Sequence, residues 1–114
     1  MKKYLLFSLL LSMLLVSCEM FNPPKKASSI EFETRYYRKT PNSTPFINTI
    51  TGGEGDGKIT FSTSNPDFAT VDPDSGLVTT LAVGNVTITA NKAETDDYSS
   101  CSANYAVYIY SSLL

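Results

Sequence analysis

From Ile30 onward the chain alternates apolar and polar side chains. Ile30, Phe32, Thr34 and Tyr36 fall on one side, and Glu31, Glu33, Arg35 and Tyr37 on the other. That period of two belongs to a strand with one buried face. The alternation returns in Ile59, Phe61 and Thr63, in Val86, Ile88 and Ala90, and in Tyr105, Val107 and Ile109. Shorter groups at Phe46–Ile50, Phe68–Val71 and Leu77–Leu81 bring the strand candidates to about seven. Turn-formers separate them: Lys39–Pro45 with its two prolines, Asn65-Pro66-Asp67, Asp72–Gly76, and Gly84-Asn85. Residues 93–102 read as polar and irregular, before a last strand over Asn104–Tyr110. Nothing after residue 20 shows helical periodicity with caps, and no internal repeat appears. The pattern predicts an all-β fold, a β-sandwich of short strands.

One stretch interrupts the alternation with glycine. "TGGEGDGKIT", residues 51–60, has Gly52, Gly57 and Lys58 at the spacing of a phosphate-binding loop. Such a loop feeds a helix, whose N-terminal amides hold the phosphate, and places Ser or Thr after the Lys to bind magnesium. Here Ile59 follows Lys58 and a strand pattern begins. The glycines therefore predict a connection between strands, where positive φ is often required.

The first residues read differently. Met1-Lys2-Lys3 is basic, and Tyr4–Val16 is an apolar run of 13 residues broken only by Ser8 and Ser12. A helix spanning a bilayer needs about 20 apolar residues, whereas this length suits the apolar region of an export signal. Leu15-Val16-Ser17-Cys18 resembles the lipobox of bacterial lipoproteins. The resemblance implies that residues 1–17 are a signal peptide, that the thiol of Cys18 receives a diacylglycerol group, and that the mature chain starts at an acylated, palmitate-bearing Cys18. Two or more acyl chains anchor a protein stably where one does not. Residues 18–29, which include Pro23 and Pro24, have the composition of a flexible tether; the alternative is that they pack on the domain as an edge. Residues 30–114 then form the domain.

The strand and turn segments carry a further likeness. Ser62–Asn65, Ala69–Asp72, Gly76–Thr79, Gly84 and Thr87–Ala90 resemble, in order, the motifs of the bacterial Ig-like domain of group 2. Asn85 stands where that family more often has a small residue. The resemblance implies an Ig-like β-sandwich on exported or surface proteins, without a shared catalytic motif. Some members belong to adhesins, and many act as spacers.

Composition narrows the chemistry. Beyond residue 17 the chain has 7 Lys and Arg against 11 Asp and Glu, a net charge of −4. An acidic chain is a poor partner for nucleic acid, which calls for a basic face. Histidine is absent, which removes Ser-His-Asp and Cys-His arrangements. Zinc has no plausible ligand set in Cys101 and carboxylates, and Asp72/Asp74 and Asp96/Asp97 lie in turns, where Asp bonds its own backbone. The expectation is no catalytic site, no metal and no cofactor. With Cys18 acylated, Cys101 is buried and inert or pairs between chains.

The functional hint is aromatic. If Tyr105, Val107 and Ile109 face the core, Tyr108 and Tyr110 face out; if Phe32 and Tyr36 point in, Tyr37 lies outward on the first strand. Tyr37, Tyr108 and Tyr110 are thus a candidate binding surface for an extracellular glycan or a protein, a flat ring with a polar tip suiting either. The bland alternative is that these rings only cover sheet edges. The sequence therefore predicts an envelope lipoprotein, held to an outer membrane or cell surface by lipid. It acts there as a binding and adhesion module, or else as a structural spacer or accessory subunit.

Overall fold

The computed structural model describes residues 24–111. The leader, Cys18 and the first part of the expected tether lie outside the described residues. Eight strands follow in order: β1 (Ile30–Phe32), β2 (Tyr36–Lys39), β3 (Ile50–Gly52), β4 (Ile59–Thr63), β5 (Ala69–Val71), β6 (Val78–Thr80), β7 (Gly84–Lys92) and β8 (Cys101–Ile109). No helix occurs among the described residues.

The strands form a two-layer sandwich. One layer is a four-stranded sheet in the order β2-β8-β7-β4, with β2 parallel to β8 and the other pairs antiparallel. The other layer consists of the antiparallel pairs β1-β3 and β5-β6, the latter extended by a bridge from Phe46 to Val78. The alternation read from sequence sets the inner faces. Val86 and Ile88 of β7 and Tyr105, Val107 and Ile109 of β8 are buried with Ala69 and Val78 of the opposite layer. Phe32, Tyr37, Phe46, Phe68 and Val71 close the core around them. β-branched and aromatic residues fit this pleated, half-buried surface.

The first strand departs from expectation. Ile30–Tyr37 is not one strand but two, because the chain crosses from one layer to the other at Glu33–Arg35. Thr34 has no ladder partner at the crossing, and a side chain supplies one. Buried Asn48 accepts from the Thr34 N–H at 3.2 Å and donates its amide to the Thr34 carbonyl at 2.7 Å. This satisfies both backbone groups where the sheet cannot. It also explains why Phe46–Ile50 is not a strand: Asn48 turns inward, Phe46 makes only a bridge, and pairing resumes at Ile50.

Two further boundaries shift. Gly84 and Asn85 begin β7 instead of turning, and the Phe68 ring occupies the space that a side chain at 84 would fill. β8 starts at Cys101, earlier than expected, since Ser102 and Ala103 pair with Asn91 and Ala90.

The glycine cluster joins β3 to β4, with positive φ at Gly52, Gly53 and Gly55. Buried Lys92, at the end of β7, donates to the carbonyls of Gly55 and Gly57 at 3.1 and 3.0 Å and so fixes the loop from beneath. Lys58 instead pairs with Asp74 at 3.4 Å on the surface. The end of the expected tether is docked, not free. Lys26 exchanges backbone hydrogen bonds with Asp97 and Ser99, Lys25 pairs with Glu94, and Ser29 accepts from Gly53. The edge-packing alternative therefore holds from Lys25 onward.

Candidate functional site

The crossing between layers resets the strand phase and so decides which tyrosines reach solvent. Had one strand run from Ile30, Tyr37 would face out; after the break, Tyr37 turns in. Its ring lies 4.5 Å from Phe46 and 5.8 Å from Tyr105, centroid to centroid, as part of the core wall. Lys39 lies over the Phe46 and Tyr37 rings and closes that side. Tyr37 is therefore removed from the candidate surface, and Tyr36 takes its place.

Tyr36, Tyr108 and Tyr110 are 54, 42 and 44% exposed on the outer face of the four-stranded sheet. Tyr36 and Tyr108 meet edge to face at 5.9 Å, and the Arg38 guanidinium lies 5.5 Å from the Tyr110 ring centroid. Parallel register of β2 and β8 builds the cluster: Arg38 stands opposite Tyr108, and Tyr36 opposite Ala106. Beyond β8 the same rows continue to Asn85 and Thr87 on β7. Such a cluster offers flat apolar faces, phenol tips and one delocalised cation, which suits binding and not bond-making. Sequence reasoning found Tyr108 and Tyr110 because β8 is long and regular. It missed Tyr36 and Arg38 because no turn-former marks the layer crossing.

Of the two carboxylate pairs, Asp72 serves its own turn. Asp72 Oδ1 accepts from the Asp74 and Ser75 N–H groups at 2.8 and 2.9 Å. Those two bonds, Ser75 foremost, hold its carboxyl below the usual carboxylate range. Asp97 donates its N–H to Thr95 Oγ1. No group of three or more His, Cys, Asp or Glu residues is placed to hold a metal among the described residues. Cys101 is half-buried, its Sγ 3.7 Å from Ser28 Oγ in the docked N-terminal segment.

No curated protein matches the chain. The family model for the bacterial Ig-like domain (group 2) matches residues 46–102, half of the chain. Domains of this kind are typically non-catalytic and occur in bacterial surface proteins. The matched segment runs from the Phe46 bridge to the start of β8, so Tyr36, Arg38, Tyr108 and Tyr110 all lie outside it. The structure adds β1, β2 and most of β8 to complete the sandwich around that segment. With the motifs from Ser62 to Ala90 folded as an all-strand sandwich and the family model matched over them, the chain belongs to the bacterial Ig-like domain family, group 2.

Proposed function

We propose that the protein is a non-catalytic cell-envelope lipoprotein, anchored through an acylated Cys18, whose single Ig-like module binds an extracellular partner. The binding surface is the outer face of the four-stranded sheet, centred on Tyr36, Tyr108, Tyr110 and Arg38. One observation carries the reading. Three large aromatic rings stand exposed together beside one guanidinium on a rigid sheet, where their burial by a partner gives most and costs little side-chain entropy.

Two measurements test it. Intact-mass analysis of membrane-extracted protein is expected to give a chain starting at Cys18 with added acyl mass; an unmodified chain that keeps its leader sinks the anchor. Cells carrying Tyr36→Ala with Tyr108→Ala are expected to lose adhesion to a surface that wild-type cells hold, at equal protein levels. Unchanged adhesion with unchanged envelope association points instead to the spacer or accessory role.

A further inference from the structure

The outer face of the four-stranded sheet is nearly free of charge, although the chain is acidic. Every carboxylate among the described residues lies on β1, on the bend after it, or in a loop; none lies on β2, β4, β7 or β8. Of the basic residues on those four strands, Lys92 is buried inward and Lys39 lies against the inner rings, which leaves Arg38 alone facing out. The rest of the face is hydroxyl and amide. β7 presents Asn85, Thr87, Thr89 and Asn91, all on the side away from the buried Val86, Ile88 and Ala90. Ser102 and Asn104 of β8 and Thr60 and Ser62 of β4 continue the surface.

This polar surface has two built ends. At one stands the tyrosine cluster. At the other lies a shallow depression of about 560 Å³, lined by Thr60, Asn91, Ser100 and Ser102 and also by Lys58 and Lys92. Tyr108 and Ser102 are on the same strand and face the same way, so the track between the ends is roughly 20 Å at ~3.4 Å per residue. The exposed aliphatic residues Ile47, Leu77, Leu81 and Val83 all lie off these four strands.

We propose that this track binds an uncharged polysaccharide chain, laid along β8 from the tyrosine rings to the depression. The proposal rests on the binding-module reading above. Sugar rings have C–H faces that stack on tyrosine and a rim of hydroxyls that exchange hydrogen bonds with Asn, Thr and Ser. Covering such a surface with a neutral chain leaves no charge desolvated and unpaired. An anionic polymer would need several free cations; here Arg38 faces out, Lys58 is paired with Asp74, and Lys92, which also lines the depression, is buried with its ammonium on the Gly55 and Gly57 carbonyls. Tyrosine and arginine also mark protein interfaces, so it is the uncharged hydroxyl and amide rows beyond the cluster, with no exposed aliphatic residue among them, that favour a glycan.

The test uses detergent-solubilised full-length protein in affinity electrophoresis against a β-glucan, a xylan and a galactomannan, with polygalacturonate as the anionic arm. Retardation by at least one uncharged polymer is expected, little changed between low and high salt. Tyr108→Ala weakens it about tenfold or more, a change of roughly 1.4 kcal/mol, Tyr108→Phe keeps most of it, and Thr87→Glu abolishes it, with melting temperatures held near wild type. No retardation by any uncharged polymer, retardation by polygalacturonate alone, or retardation indifferent to Tyr108→Ala and Thr87→Glu overturns the proposal. If the polysaccharides fail while Tyr36→Ala/Tyr108→Ala cells still lose adhesion, the glycan chemistry is wrong and the binding module stands. If adhesion is also unaffected, both fall.

Discussion

Tyr105 is the residue whose environment is least satisfied. Its ring packs edge-on to Phe32 at 4.5 Å and against Tyr37, yet its buried hydroxyl has no hydrogen-bond partner among the described residues. Burial, and then the neighbouring Tyr37, push its phenol above the usual range. Tyr105→Phe keeps the ring contacts and removes the orphaned hydroxyl, so it is expected to leave stability unchanged or raise it by about 1 kcal/mol, read as a higher urea midpoint. The pH dependence has a definite sign. A raised folded pKa means that this contribution is fully present below about pH 10 and declines above it, where the unfolded phenol ionises and the folded one does not. Wild type is therefore expected to lose midpoint between pH 9 and pH 11 more steeply than Tyr105→Phe. The same scale holds the clearest misreading: Tyr36 and Tyr37 are adjacent and chemically identical, and only the strand phase decides which one meets solvent.

At the scale of elements, the fold depends on devices that replace missing ladder bonds. Asn48 serves Thr34 at the crossing, and Thr80 does the same for the loop after β2, its hydroxyl donating to the Thr40 carbonyl at 2.9 Å. Asn48→Asp is nearly isosteric but loses the donor and sets a carboxylate against a carbonyl in a buried place. It is expected to destabilise the domain by about 3 kcal/mol, seen as a lower urea midpoint with an unchanged slope. Gly57 shows a different constraint. A Cβ there would overlap the Ala93 carbonyl oxygen in the connection from β7 to β8, so two loops approach as closely as backbone permits. Gly57→Ala is expected to cost about 1–3 kcal/mol through forced displacement of that contact, checked by thermal denaturation. The turn between β5 and β6 was legible in full. Asp72-Pro73-Asp74-Ser75-Gly76 folds with Gly76 at φ 80° and the Asp72 carboxylate bonded within the turn, each from residue types that favour it.

Across the whole molecule, docking of Lys25–Ser29 decides how the module would stand on its anchor. The docked segment reaches the end that carries the glycine loop and residues 94–99, whereas β2 and β8 both run away from it. On the proposed lipid anchor, the six residues 19–24 then reach at most about 20 Å, compared with about 36 Å for a free tether ending at Ser29. On that proposed anchor the tyrosine cluster, at the end of β8 remote from the docked segment, would lie away from the bilayer. A fluorophore at Asp96→Cys, in a Cys101→Ser background, is expected to transfer energy to a labelled bilayer more efficiently than one at Ser43→Cys. Equal transfer from both positions would mean that the module tumbles freely on its tether.

The all-strand class, most of the turns but not the one expected at Gly84-Asn85, the inward residues of β7 and β8, and the family were legible in the chain alone, because each rests on local periodicity or on turn residues with fixed backbone preferences. The crossing between layers, the docking of Lys25–Ser29 and the exchange of Tyr37 for Tyr36 and Arg38 on the outer face emerged from long-range packing. Those features depend on which distant group meets an unpaired backbone: Asn48 at Thr34, Asp97 and Ser99 at Lys26. A side-chain amide 14 residues away leaves no mark on the period of the strand that it interrupts.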